Sequence, residues 1–325
     1  MHITLNSYGV SLHSENELFV VQTAEGKQSI PPEKVRTITI SKGARLSSDA
    51  VMLAIKHQVD ILFVDKLGYP AGRIWSIQYG SVSDIRRKQL EFFYSEQAEE
   101  WVKKLLAQKL DRQIALLLSL KPDEMPLNNL FASAINSITD YKRKIISAHA
   151  ESFSDLKPTL RGWEGAASRK YFECINRLMP ADFAFEKRSQ NPASDPFNAM
   201  LNYAYGILYG KVEGALIKAG IDPYSGIFHR DDYNRPALVF DVIELYRHWA
   251  DYVVISLCRN EAIPLECFTY TSNNTCMIEG LGKRILIQGM QDYMAEIIDN
   301  GAKERSRNTH IEDYARQLAQ LFLKS

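Results

Sequence analysis

The sequence has little of what marks several specialised protein classes. It contains 4 cysteines among 325 residues and no C-x-x-C pair, so neither a disulfide framework nor a structural zinc site is expected. Its densest apolar stretch in a helical context, Ile114–Leu120, is far too short to span a bilayer. The first six residues lack a basic segment followed by an apolar one, so no signal peptide is expected. We therefore expect a cytoplasmic protein that does not associate with a membrane.

Neither sign of charge is in excess, because 39 Lys and Arg residues balance 39 Asp and Glu residues. This balance argues against a protein that is held on nucleic acid by its overall field, although it permits a local basic groove. The window 140–170 has such an excess, with seven basic residues against four acids. The 46% hydrophobic content is that of an ordinary globular protein, and at about 150 residues per domain the length indicates two domains.

The residue pattern changes near residue 80. Before that point, short β-rich runs alternate with turn residues. These runs are Leu18–Val21, Val35–Ile40, Ile61–Val64 and Ile74–Ile77. One helix is expected between the second and third runs, capped by Ser47 or Ser48, with Val51, Met52 and Ile55 on its buried side.

Beyond residue 83 the apolar residues recur at the helical spacing of 3.6. This period predicts helices at 86–120, 127–149, 163–178, 196–219, 239–259, 285–299 and 309–323. We therefore predict an α+β fold: a small, mostly β N-terminal domain (1–82) followed by a large all-α C-terminal domain (83–325).

Two isolated polar residues could carry chemistry. Glu164 lies at the start of the third predicted helix beside Gly165, which leaves steric room around the carboxylate. An acid in a first helical turn is also favoured simply by the helix dipole. His229 follows a turn marked by Pro223 and Gly226, and ligating residues tend to lie on such loops. A histidine packed at a loop edge is the alternative interpretation.

A third segment contains two acids in strongly apolar surroundings. Asp241 and Glu244 are i, i+3 neighbours on a predicted helix, so their β-carbons should lie about 5–6 Å apart. Buried carboxylates need a positive partner, and Arg235, Arg247 or a metal ion would each serve. Glu244 and His248, one turn apart, offer a second pair of ligands.

Taken together, these residues supply two or three carboxylates and one imidazole. Oxygen ligands suit both Mg²⁺ and Mn²⁺, and an imidazole favours Mn²⁺. Such a site can polarise a phosphodiester and stabilise a leaving oxygen. The chain has no P-loop, because the glycine-rich stretch at 280–283 lacks both the earlier glycine and the following Ser or Thr.

Four motifs occur in a fixed order along this part of the chain. They are G-x-E-G-x-A-x-x-x-Y-F at 162–172, N-x-x-L-N-Y at 198–203, G-I-D-P-x-x-G-x-x-H at 220–229 and R-x-x-L-x-x-D-x-x-E at 235–244. In these motifs, and over essentially its whole length, the chain resembles the CRISPR-associated adaptation integrases and endonucleases, which insert new spacers into a repeat array.

The resemblance implies a transesterification, in which the 3′-hydroxyl of a prespacer DNA end attacks a phosphodiester at the CRISPR repeat border. It implies that Glu164, His229 and Glu244 bind Mn²⁺ or Mg²⁺, and that Asp241 influences activity. It further implies a homodimer, formed through the N-terminal domain, with a small adaptation partner subunit. DNA phosphates are expected to meet basic residues of the helical domain. The candidates are Arg161, Arg169, Lys170 and Arg235.

The chain departs from the family pattern at two places. The family usually follows the last motif with F-R-P, where this chain has Tyr246, Arg247 and His248, and an asparagine commonly stands where Arg112 precedes Gln113. Two other functions remain open: a non-catalytic helical DNA-binding scaffold, and a phosphodiesterase that acts mainly on branched DNA or RNA. The intact set of three ligands argues against the scaffold.

Overall fold

The computed structural model describes residues 1–66, 68–74, 82–190, 192–229, 235–299 and 304–325. The chain divides into two compact units, Met1–Ser81 and Val82–Ser325. The first unit is rich in strands and the second is mostly helical, which confirms the predicted fold class.

The described residues of the first unit form two four-stranded sheets and one α-helix. The elements are β1 (His2–Leu5), β2 (Ser11–Glu15), β3 (Leu18–Thr23), β4 (Gly26–Ile30), β5 (Thr37–Ser41), β6 (Arg45–Leu46), α1 (Ser48–Lys56), β7 (Asp60–Val64) and β8 (Pro70–Ile74). One sheet has the order β1-β5-β7-β8, with the first three strands parallel, and the other has the order β4-β3-β2-β6. The core between them contains Leu12, Phe19, Ile38 and Ile61.

Sequence patterning located α1 correctly but misplaced one residue of its buried side. Ser47 caps this helix, as predicted, by accepting a hydrogen bond from the backbone N–H of Ala50 at 3.2 Å. Ala50, Leu53 and Ala54 are buried and Val51 packs against the core, whereas Met52 is 62% exposed, so the prediction was wrong for Met52. The last predicted strand is described only as far as Ile74, and its residues 75–77 lie outside the described residues.

The second unit is built from nine helices among its described residues. They are α2 (Ser83–Phe93), α3 (Glu96–Leu120), α4 (Met125–Ser147), α5 (Phe153–Arg177), α6 (Pro196–Lys218), α7 (Ala237–Ile243), α8 (Arg247–Arg259), α9 (Gly280–Ala295) and α10 (Arg307–Lys324). Two short antiparallel pairs, which the period did not predict, are β9 (Phe268–Tyr270) with β10 (Cys276–Ile278) and β11 (Ile297–Asp299) with β12 (Glu304–Ser306). None of the helices that the structure describes is long and apolar enough to cross a membrane.

Two boundaries differ from the prediction in ways that position the site. The predicted helix 239–259 is two helices, α7 and α8. Between them the chain forms tighter hydrogen bonds to the carbonyl three residues earlier, such as that from the N–H of Tyr246 to the carbonyl of Ile243 at 2.8 Å. The guanidinium of Arg112 donates a hydrogen bond to the carbonyl of Leu245 at this junction. Glu244 therefore lies at the end of a short helix rather than within a long one.

The second difference concerns α5, which begins ten residues before the predicted start at 163. Ser152 caps it by accepting from the backbone N–H of Asp155 at 3.2 Å, and the helix continues through Pro158. A proline inside a helix ordinarily breaks it, and here the burial of Leu156 and Leu160 in the core offsets that cost. Glu164 is consequently in the middle of α5, so the helix dipole at a first turn does not account for it.

Candidate metal-binding cleft

The three predicted metal ligands line one cleft of the helical unit. This cleft has a volume of about 1040 Å³. Glu164 comes from α5, Glu244 from the junction between α7 and α8, and His229 from the segment before α7. Residues distant in sequence, Lys109 and Arg188, line it as well.

Asp241, the fourth predicted site residue, lies behind this cleft rather than in it. Its carboxylate is completely buried and accepts backbone N–H groups from Ile227 at 2.7 Å, Phe228 at 3.0 Å and His229 at 2.9 Å. Its Oδ1 also lies 2.6 Å from Nδ1 of His229. Asp241 therefore fixes the loop and orients the imidazole, and its oxygens are fully used.

This contact fixes the histidine tautomer. The carboxylate can only accept, so Nδ1–H donates to it, and the lone pair of the neutral imidazole is then on Nε2 and available to another partner. The side chain of His229 is 36% exposed, so Nε2 can be reached from the cleft. Metal-binding histidines commonly have this arrangement, with the second ring nitrogen donating to a carboxylate.

A buried lysine, which the sequence pattern did not indicate, lies between the two glutamates. Nζ of Lys109 forms an ion pair with Oε1 of Glu164 and lies 2.5 Å from Oε2 of Glu244. Ser168 donates to the same oxygen of Glu164 at 2.8 Å, and Nε of Arg247 donates to Oε1 of Glu244 at 2.9 Å. The ammonium group thus occupies the position between the carboxylates where a cation is expected.

Neighbouring charges set the protonation states of Glu244 and Lys109, although both side chains are buried. Burial alone raises the pKa of Glu244, but Arg247, Lys109 and His229 together lower that pKa to about 2. Burial alone lowers the pKa of Lys109, but Glu164 and Glu244 raise it above its ordinary value. Both groups are therefore charged at neutral pH.

The donor set fits a divalent cation in chemistry. Two carboxylates and a histidine with an oriented ring are ligands for Mn²⁺ or Mg²⁺, and Oε2 of Glu244 is a buried oxygen that accepts no well-directed hydrogen bond. In the part of the chain that the structure describes, no three acidic, histidine or cysteine side chains are close enough to hold an ion as they stand. Lys109 provides the positive charge there instead.

Arg188 is a second basic residue of the cleft that the sequence pattern did not indicate. It donates to the side-chain oxygens of Asn198 and, at 2.9 Å, of Asn202, both in the N-x-x-L-N-Y motif on α6. Nδ2 of Asn202 also donates to the carbonyl of Ser189 at 3.1 Å. The motif therefore anchors the segment around Arg188 at the cleft, and its i, i+4 asparagines were the available signal.

The four predicted DNA-binding residues differ in their surroundings. Arg161 donates to the carbonyl of Phe228 at 2.6 Å and so supports the loop before His229. Arg169 is exposed and lines the cleft, and Lys170 is exposed and pairs with Glu173 at 3.1 Å. Arg235 is exposed just before α7. Their contact with DNA stays a prediction.

One further pair predicted from spacing does not converge. His248 lies one turn from Glu244 in sequence, but the break between α7 and α8 directs the two side chains into different cavities. The interpretation of Glu244 and His248 as a ligand pair was therefore wrong. Glu244 instead pairs with Arg247, one of the partners that the sequence left open.

Several known proteins are similar to this chain in sequence or in fold. The chain is 29% identical over 321 residues to CRISPR-associated endonuclease Cas1 1 of Archaeoglobus fulgidus, covering 95% of this chain and 91% of that protein. Its fold is similar to a casposase bound to integration product (TM-score 0.84, 21% identity, 99% of this chain and 90% of the other). It is also similar to part of a Cas6-RT-Cas1–Cas2 complex (TM-score 0.81, 21% identity, 100% of this chain and 35% of the other).

The family model described as CRISPR associated protein Cas1 matches residues 3–292, which cover most of both units and all four motifs. The resemblance seen in the motifs is thereby confirmed, and this chain belongs to the CRISPR-associated protein Cas1 family.

Proposed function

We propose that this chain is a metal-dependent DNA integrase and endonuclease of CRISPR adaptation. The observation that carries the proposal is the convergence, in a Cas1 family member, of Glu164, His229 and Glu244 on one cleft. In the proposed reaction the 3′-hydroxyl oxygen of a prespacer end bonds to a phosphorus atom at the repeat border. The bond from that phosphorus to the 3′ oxygen of the repeat strand breaks, and this oxygen leaves as a new 3′-hydroxyl. One phosphodiester replaces another, so no nucleotide needs to be hydrolysed.

Each residue of the cleft has a proposed role. Glu164, Glu244 and Nε2 of His229 would hold Mn²⁺ or Mg²⁺, which when bound polarises the phosphodiester and stabilises the leaving oxygen. Asp241 orients the ring by accepting from Nδ1 of His229, so that the lone pair of the neutral imidazole is on Nε2. Lys109 and Arg247 keep Glu244 ionised, since both neighbours lower its pKa.

The names of related proteins support the proposed substrates and partners. The relative from Archaeoglobus fulgidus is called an endonuclease, and one protein of similar fold was determined with an integration product. Another forms part of a complex that contains Cas2. We therefore propose prespacer and CRISPR repeat DNA as substrates, and a homodimer with a small partner subunit of the Cas2 kind in the cytoplasm.

Strand transfer tests the proposal directly. A duplex with 3′-hydroxyl ends is incubated with a repeat-bearing plasmid and Mn²⁺, with and without the partner subunit. We expect Glu164→Gln and His229→Ala to lose at least about a thousandfold in rate, because each removes a ligand from a site that acts as a unit. Glu173→Gln is the matched control, since Glu173 lines the same cleft but pairs with Lys170 at its exposed rim.

The outcomes separate the candidate functions. Activity that survives in chelator, or in either ligand variant, would contradict the metal-binding assignment. Binding of DNA without any cleavage or joining in Mn²⁺ would favour the non-catalytic scaffold. Cleavage of branched DNA or RNA without transfer into the plasmid would favour the phosphodiesterase.

A further inference from the structure

A second cavity, of about 490 Å³, lies in the helical unit and shares no lining residue with the metal-binding cleft. Arg112 of α3, three residues of the α7–α8 junction and the first part of α10 line it. Its size is within the range of about 300–1,000 Å³ that is typical of sites for small organic ligands. The residues that define it are Arg112, Tyr246, His248, Trp249, Tyr314 and Arg316.

Arg112 brings a cation into this cavity without an acid to balance it. Its guanidinium donates to the carbonyl of Leu245 and lies 5.5 Å from the ring centre of Tyr246. No carboxylate among the described residues forms an ion pair with it, and burial lowers its pKa. A half-buried guanidinium has five N–H donors, so most of those of Arg112 are available for an anion.

Aromatic rings form the wall beside this cation. The rings of Tyr246 and Trp249 are almost completely buried and lie 4.9 Å apart between centroids. The half-buried Tyr314, which meets Tyr246 edge-on at 6.3 Å, is the tyrosine ring that faces the cavity. His248 lies against Trp249, and its buried Nδ1 has no hydrogen-bond partner within the described part of the chain. The cavity thus combines an apolar wall, an unused polar atom of an imidazole and an unbalanced positive charge.

The remaining charged groups leave the cavity net positive. Arg316 pairs with Asp313 three residues before it, so two guanidinium groups face one carboxylate. Burial, with Arg112 and Arg307 nearby, lowers the pKa of His248 to about 3, so this imidazole is neutral. An occupant should therefore carry a negative charge near Arg112 and a flat ring near the half-buried Tyr314 and His248.

We propose that this second cavity binds a phosphate-bearing nucleotide unit, with its phosphate on Arg112 and its base against the aromatic wall. Base stacking on aromatic side chains and phosphate contact through arginine are the usual combination for single-stranded nucleic acid. Arg112, Tyr246 and His248 line this cavity, and none of them is a predicted ligand of the metal ion. The cavity is therefore distinct from the proposed metal site.

The position of the cavity connects it with the cleft. The carbonyl that accepts from Arg112 belongs to Leu245, directly after Glu244. A phosphate bound to Arg112 would therefore lie near Leu245, the residue that follows the proposed metal ligand Glu244. Only the choice of a DNA strand as the source of the nucleotide rests on the proposed function, since a free nucleotide has the same chemistry.

Calorimetric binding to the full chain tests the inference, with dTMP, thymidine, inorganic phosphate and a 5′-phosphorylated tetranucleotide as probes. We expect dTMP to bind at least tenfold more tightly than thymidine or phosphate. Arg112→Gln and Arg316→Glu should each weaken dTMP binding by at least tenfold. The matched control is Arg87→Ala, because Arg87 also pairs with an acid three residues before it but lies outside both cavities.

Each outcome decides for or against the inference. Equal binding of thymidine and dTMP, or dTMP binding that neither variant changes, would overturn it. Binding of the tetranucleotide alone, still lost in both variants, would support it with a DNA strand as the source, whereas binding of neither would overturn it. If Arg112→Gln does not fold, Arg316→Glu decides the question, because the side chain of Arg316 is 60% exposed. Glu164→Gln should leave dTMP binding unchanged, so the two proposals can fail separately.

Discussion

Asp241 and Glu244 stand three residues apart at the end of one short helix, yet they have opposite surroundings. Asp241 is saturated by three backbone N–H groups and an imidazole, all within one loop. Glu244 faces side-chain cations across the cleft and has one oxygen without a well-directed hydrogen bond. The first arrangement determines where the loop lies, whereas the second can exchange partners. The donors therefore distinguish the two kinds of carboxylate: backbone N–H groups hold a structural one, whereas side-chain cations surround one that is available for chemistry.

The largest effect should come from removing the structural carboxylate. Asp241→Ala leaves three buried N–H groups and the Nδ1–H of His229 without an acceptor, so we expect a loss of about 3–5 kcal/mol in the free energy of unfolding. Glu244→Gln should cost less, since Lys109 keeps Glu164 as a partner. Urea unfolding measures both. If Asp241→Ala does not fold, Asp241→Asn, which keeps one acceptor, should still be less stable than Glu244→Gln; the reverse order would break the distinction.

A third buried carboxylate sharpens the comparison through pH. Asp251 accepts hydrogen bonds from Tyr171 at 2.7 Å and Tyr205 at 2.5 Å, yet burial raises its pKa to about 6. Because this pKa exceeds the unfolded value of about 4, the folded state binds a proton more tightly. The contribution of Asp251 to the free energy of unfolding should therefore rise by up to about 3 kcal/mol as the pH falls from 7 through 6 to 4.

Asp251→Asn should abolish this contribution, measured as the difference in urea unfolding between wild type and variant at pH 7 and pH 4. The exposed Asp140→Asn is the control and should leave the pH dependence of wild type intact. A difference between wild type and Asp251→Asn that is the same at both pH values would contradict the raised pKa.

The loop that Asp241 holds has little room, which gives a third prediction. A Cβ added at Gly226 would collide with Cβ of Ala237, in the first residue of α7. We expect Gly226→Ala to cost about 2 kcal/mol, since the loop must shift to relieve the overlap. Gly162→Ala, where the space is open and the residue is within α5, should instead gain about 1 kcal/mol. A lower melting temperature for Gly226→Ala and a higher one for Gly162→Ala would support the close approach of Gly226 to Ala237. Equal shifts of the melting temperature in the two variants would contradict it.

The smallest effect tests whether the surroundings of Glu244 can exchange. If Lys109 occupies the place of the cation, Lys109→Met should tighten Mn²⁺ binding by about tenfold, or about 1.4 kcal/mol, because the ion no longer competes with an ammonium group. Calorimetric titration of Mn²⁺ measures this, with the exposed Lys104→Met as control. Unchanged or weaker Mn²⁺ binding in Lys109→Met would show that the lysine does not compete.

Local pattern predicted the classes of the elements but not their ends. The change from a period of two to one of 3.6 separated the strand-rich part from the helical part, because burial of one face imposes these periods on any chain. The break after Glu244 was not predicted, because one contributor to it, the hydrogen bond from Arg112, comes from more than 130 residues away. The error at Met52 in α1 has a similar cause. Methionine is apolar enough for a core, and the packing of the whole unit, which local pattern does not show, leaves this one exposed.

The residue types of the candidate site were likewise visible, while their division of labour was not. Glu164, His229, Asp241 and Glu244 were all named from the motifs, and the structure places three of them at the cleft and one behind it. Lys109 carried no signal, since a lysine on a long helix is ordinarily solvated and nothing nearby in sequence indicates that it is buried. Arg188, which lies between two of the motifs, likewise had no sequence pattern that indicated a place in the cleft.

The sequence by itself determined the family, the two-part fold and the set of acids and the histidine from which a site could be built. Tertiary structure alone decided which carboxylate is used up by the backbone, which faces a buried ammonium, and that Arg112 and His248 line a second cavity. The physical reason is that hydrogen bonds and ion pairs depend on distances between residues far apart in the chain. Composition and spacing specify which groups are available, whereas packing specifies which of them meet.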